Sequence, residues 1–161
     1  MSLRLRAVLP DDLPLWSDDT EYEDYGPPVP RVEVPSARLD RDGHLGIEVD
    51  GDLIGTVGWR WVAYGPNDPS RCPMLGVYIA GPHRGKGYGF QAQKLATDLL
   101  FRHTLVNRVE ASTDVTNLPE QKVLERLGFT REGIMRGSQF RSGRFNDMVM
   151  YSLLREEWHR D

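Results

Sequence analysis

The chain has 161 residues, 39% hydrophobic and 27% charged, the proportions of one globular domain, and no linker or repeat divides 1–161. Its net charge of −4, with no basic stripe, excludes a nucleic-acid binder of the usual kind. No run approaches the ~18 apolar residues of a membrane helix, the start lacks a secretory signal, and Cys72 is the single cysteine, so no membrane partner, no internal disulfide and a cytoplasmic location are expected.

Residues 3–9 alternate apolar and polar side chains, the pattern of a first strand, and Pro10-Asp11-Asp12 opens a short helix. Residues 17–36, acidic, aromatic and then proline-rich, read as an irregular loop. Leu45, Ile47 and Val49 alternate up to Asp50-Gly51, a hairpin signal, and the chain returns through 53–62. Residues 74–80 form an apolar run typical of a strand buried on both faces. After a glycine-rich stretch, Ala92, Leu95, Ala96, Leu99, Leu100 and His103 keep helical spacing. Residues 108–115 read as a strand. Asn117 begins a short helix to Leu127, with Glu120 at the capping-box position and Gly128 able to close it in the left-handed conformation. Two last strands, about 129–140 and 144–154, flank Ser142-Gly143. The order predicts an α/β (α+β) mixed sheet.

The informative stretch is Arg84-Gly85-Lys86-Gly87-Tyr88-Gly89, between a buried strand and a helix. Glycines let the backbone approach a ligand closely, and the helix start offers unpaired amides with about half a positive charge. Arg84 and Lys86 add cationic side chains, so a phosphate-bearing ligand is expected, most simply a pyrophosphate. The spacing fits neither Gly-x-Gly-x-x-Gly nor the Gly-x4-Gly-Lys loop.

Arg84-x-x-Gly87-x-Gly89 after a strand containing Val77-Tyr78-Ile79 resembles the acetyl-CoA signature of the GNAT N-acetyltransferase superfamily. Asn117 followed by Val123-Leu124-Glu125-Arg126-Leu127-Gly128-Phe129 resembles a second segment of that family, and motifs and strand order together span 3–154. The nearest branch in pattern holds the Rim-type ribosomal-protein alanine acetyltransferases. The resemblance implies a GNAT-like fold: a mostly antiparallel sheet with splayed middle strands and helices on both faces. It implies an N-acetyltransferase that uses acetyl-CoA and acts on a primary amine, of a small molecule or of a protein N-terminus. Backbone groups of Val77, Tyr78 and Ile79 would pair with the pantetheine arm, the amides from Gly85 through Phe90 would cradle the pyrophosphate, and Asn117 would contact the pantetheine region. Homodimers are common among such proteins. An acyl-CoA-binding sensor without turnover is the alternative.

Catalytic residues do not transfer directly. A tyrosine that many members carry seven residues after the Asn is Leu124 here; a Rim-type serine three residues after it is Glu120; a glutamate five residues before it is Ser112. From the residues themselves, Glu110, Ser112 and Asp114 alternate along one strand and share a face, which makes Glu110 and Asp114 candidates to pass a proton to water. Tyr151, on the last strand, is a candidate acid, and Glu120 reads as a capping residue. The resemblance places residues 18–25 beside the acceptor, where Glu21, Tyr22, Glu23 and Tyr25 would attract and stack on a cation. Trp59 and Trp61 are expected to wall the same cleft. No cluster has metal-ligand spacing.

Overall fold

The structure, a computed structural model, describes residues 2–16, 25 and 32–158. Seven strands are β1 (Leu3–Ala7), β2 (Gly43–Val49), β3 (Asp52–Ala63), β4 (Arg71–Ile79), β5 (Arg108–Asp114), β6 (Thr130–Arg141) and β7 (Arg144–Leu154). Two helices, α1 (Tyr88–His103) and α2 (Leu118–Arg126), follow β4 and β5. The predicted helix at Pro10 is a 3-10 turn, Pro10–Trp16, and two further 3-10 turns cover Asp68–Ser70 and Gly81–His83. Both hairpin signals hold for a backbone reason. Asp50 and Gly51 have φ of 51° and 96°, and Ser142 and Gly143 have 55° and 72°, the doubly positive pair that matches the twist of adjoining strands.

One sheet contains all seven of these strands, in the order β1-β2-β3-β4-β5-β7-β6. All neighbours are antiparallel except β4 and β5, which run parallel and pair only at Met74 with Glu110 and Leu75 with Ala111. Past Leu75, β4 stays on β3 as far as Ile79, while past Ala111, β5 stays on β7 as far as Asp114. Each middle strand follows its outer partner, so a wedge opens between them.

Burial assigns the faces. Val109, Ala111, Tyr151 and Leu153 join Ala92, Ala96, Leu100 and Phe101 of α1 and Leu124 of α2 in the main core, so these strand residues face the helices. The neighbouring positions Glu110, Ser112 and Asp114 face the other way. α1 is rotated from the expected stripe: Leu95 is 39% exposed, while Gln93 and Thr97 are buried. α2 ends as predicted. Gly128, at φ 90°, donates to the Glu125 carbonyl and Phe129 to the Leu124 carbonyl, and the Leu124 and Phe129 side chains are both buried.

Candidate active site

The wedge opens onto a cleft of about 790 Å³ bordered by β4, the glycine loop, the start of α1 and the start of α2. Val77, Tyr78, Ile79, Arg84, Gly85, Gly87, Tyr88, Gly89, Phe90 and Asn117 all line it; Lys86, exposed on the same loop, does not. Gly85 and Gly87 sit at φ 73° and 81°, where a side chain is strained, and a Cβ on either would enter open space. Gly87 is the N-cap of α1, so no side chain caps the helix and no acidic residue occupies its first turn. No side chain at the helix start therefore caps the leading amides, and the axial field there favours an anion. Arg84 also braces the loop, since its Nε donates to the Ile79 carbonyl at 2.8 Å and its guanidinium lies 5.8 Å from the Tyr78 ring centre.

Across the cleft, Asn117 caps α2, its side-chain oxygen accepting the Glu120 amide at 3.4 Å, while its Nδ2 donates to Thr113 Oγ1 at 3.0 Å. The reciprocal half of the capping box is not made. The Asn117 amide donates to the Asp114 carbonyl instead, and the Glu120 side chain turns into the cleft. Burial pushes the Glu120 carboxyl up to about 7, against a smaller opposing pull from the Gln93 side chain.

The three sequence-derived catalytic candidates do not converge. Glu110 is fully buried where β4 and β5 are still zipped together. Its carboxylate accepts Arg108 Nε at 2.7 Å and the Tyr64 hydroxyl at 3.0 Å, in a separate hollow of about 400 Å³. Asp114 stands at the open end, bound by the amide and hydroxyl of Thr116 at 2.7 and 2.6 Å and by Arg141. Those bonds, the Thr116 hydroxyl foremost, hold its carboxyl below the usual range. Tyr151 points to the helix side, donating to Glu125 at 3.0 Å, and is completely buried. Ser112 rests 3.8 Å from the Met74 sulfur.

Of the expected acceptor residues, Glu21, Tyr22 and Glu23 lie outside the described residues. Tyr25 borders the cleft, 6.0 Å from the Arg141 guanidinium, and its hydroxyl donates to Gln139 at 3.2 Å. The tryptophans are elsewhere. Trp59 is a core residue whose Nε1 donates to the Arg41 carbonyl, and Trp61 lines a different groove beneath Arg71. Both face the α1 core because β3 follows its alternation there, a placement that aromatic composition does not reveal. Arg141 and Glu120, which the residue pattern did not single out as site residues, complete the cleft.

A family model for the acetyltransferase (GNAT) domain matches residues 2–130. The uncharacterized N-acetyltransferase p20 of Bacillus licheniformis is 28% identical over 156 residues, covering 89% of this chain and 85% of that one. In fold, the chain superposes on the crystal structure of a probable acetyltransferase with a TM-score of 0.81 at 24% identity, over 97% of this chain and 94% of that one. It superposes on RimL, a ribosomal L7/L12 alpha-N-protein acetyltransferase solved with coenzyme A, with a TM-score of 0.76 at 18% identity, covering 96% and 94%. The wedge, the uncapped glycine helix and this match agree: the chain belongs to the GNAT acetyltransferase family. It is an N-acetyltransferase, and its cofactor is acetyl-CoA.

Proposed function

We propose that this enzyme acetylates a primary amine by direct attack in a ternary complex, the amine being that of a small molecule or of a protein N-terminus. The observation that carries the reading is the cleft at the β4–β5 wedge, entered from one side by the amides of α1 and bordered on the other by Tyr25 and Arg141. Bound there, acetyl-CoA would supply the activated acyl group. The residues from Gly85 through Phe90 would hold its pyrophosphate, and Val77–Ile79, freed from β5, would hold its arm as an added strand. Strand amides in the wedge would also polarise the acyl oxygen.

Cys72 offers no covalent route. Cys72 is buried in the hollow beside Glu110, and burial pushes its thiol up to about 11, which leaves almost no thiolate at pH 7. Glu110, Asp114 and Tyr151 each spend their oxygens on fixed partners, and we read them as scaffolding of the wedge. An α-amine costs about 1 kcal/mol to deprotonate at pH 7 and a lysine-like amine roughly 4–5, so an N-terminal acceptor places the smaller demand on the site. The reading sets the reaction in the cytoplasm.

The test is an acceptor panel followed by free-thiol release, with coenzyme A binding measured by calorimetry. Saturation in both substrates with intersecting double-reciprocal lines is expected. Parallel lines would overturn direct attack, and binding without thiol release from any amine would leave only a sensor.

A further inference from the structure

Acetylation of an amine obliges the protein to manage protons: the nitrogen must shed them and the departing sulfur must gain one. Among the carboxylates named so far, Glu110 and Glu125 are held by partners outside the cleft and Asp114 by Thr116 and the cleft residue Arg141, whereas Glu120 itself lines the cleft. Three observations set Glu120 apart from a helix cap. Its carboxylate does not return to the Asn117 amide, which is bonded to Asp114. It stands on the first turn of α2 and lines the same cleft as Val77, Tyr78 and Ile79. It bonds to Gln93 of α1, a polar side chain only 1% exposed, whose Nε2 is also anchored on the Gly89 carbonyl at 3.3 Å.

We infer that Glu120 is the acid that protonates the leaving thiolate, positioned by Gln93; the inference rests on the acetyltransferase reading above. In the step, the amine nitrogen forms its bond to the acyl carbon and the carbon–sulfur bond breaks, leaving its electron pair on sulfur. The Glu120 carboxyl proton joins that sulfur, and a proton shed by the new amide nitrogen, passed through water, restores the acid. The second ammonium proton goes to solvent. The charged and titratable groups bordering the cleft from other elements are His83 and Arg84 of the loop, Tyr88 of α1, Arg141 of β6, and Tyr25. Of everything around it, burial and Gln93 are what move Glu120, and burial is the stronger, so at neutral pH much of it carries its proton. Gln93 is a positioning residue.

The experiment compares wild type, Glu120→Gln and Glu120→Asp in the full chain. For Glu120→Gln the expected result is a loss of about a hundredfold in kcat, disappearance of the fall in rate above pH 7, and coenzyme A affinity within twofold of wild type by calorimetry. Glu120→Asp is expected to recover part of kcat together with an alkaline limb. Independently of turnover, ¹³C NMR of glutamate-labelled protein should show one carboxyl titrating near pH 7 that Glu120→Gln lacks. Unchanged kcat and pH profile in Glu120→Gln would overturn the acid role while leaving the transferase reading intact. Loss of coenzyme A affinity in proportion to kcat would make Glu120 a binding group and equally overturn it. No thiol release by wild type itself would instead defeat the transferase reading.

Discussion

Arg141, close to the tip of the β6–β7 hairpin, is ion-paired with Asp114, the last residue of β5, so the hairpin is tied across the open end of the wedge. Both side chains are largely shielded, at 25% and 13% exposure, which raises the pair above an ordinary surface contact. Arg141 also lies 6.0 Å from the Tyr25 ring centre, and one guanidinium thus joins the end of β5 to Tyr25 at the border of the cleft.

Arg141→Met is expected to lower unfolding free energy by about 1.5–3 kcal/mol at pH 7, the range for a hydrogen bond to a charged group. Asp114 has a lowered pKa in the fold, so its stabilising contribution is present above the ordinary aspartate range and lost as pH falls through the folded value. The difference between variant and wild type should therefore shrink toward zero in strong acid. Urea titrations at pH 7 and in strong acid check this, and a difference independent of pH would contradict the pairing.

Gly87→Asp places a carboxylate at the N-cap of α1, into open space that the ligand's phosphates are expected to share. Coenzyme A affinity should fall at least tenfold by calorimetry. The left-handed backbone there adds about 1–2 kcal/mol of strain, so the melting temperature should drop slightly as well. Unchanged affinity in a folded variant would remove the loop from cofactor binding.

Glu110 is buried with Arg108 as its cationic partner, and Arg108 also grips Glu132 through both terminal nitrogens at 2.6 Å. Arg108→Met should cost roughly 3–5 kcal/mol by stranding a buried carboxylate. Adding Glu110→Leu should recover most of that loss, as measured by chemical denaturation. If the double variant remains as unstable as the single, the penalty arises from the Glu132 contact instead.

Glu120 has the opposite pH signature from Asp114. Its folded pKa is raised, so its contribution to stability is complete below about 4.5 and declines as pH rises through about 7. Glu120→Gln should match wild type in stability near pH 4. Above pH 8 it should exceed wild type, by on the order of 1–3 kcal/mol for a half-buried group. A constant difference across that range would mean that the carboxyl is not desolvated.

Much of the fold was legible because its signals are local. Asp50-Gly51 and Ser142-Gly143 turn the chain with torsions that those residues favour, and Asn117 and Gly128 mark both ends of α2. The glycine loop was equally plain, since glycines, a helix start and neighbouring cations are features of only a few residues. Even the Arg108–Glu110 pair left a trace, as two opposite charges one strand period apart on one face.

The rest depends on which elements meet. Alternation put Glu110 and Asp114 on one face without saying that the first sits in the zipped half of the sheet and the second at its open end. Tyr151 and the tryptophans were assigned by residue type, whereas the sheet turns them toward the helices. Glu120 occupied a capping-box position, yet the packing of α2 against α1 brought it beside Gln93 and partly desolvated its carboxyl. The residues by themselves determined the turns, the caps and the glycine-led helix start, because backbone torsions and local capping are properties of short segments. Only the assembled sheet decided where the wedge opens and which acid lines it, because desolvation and pairing belong to neighbours far apart along the chain.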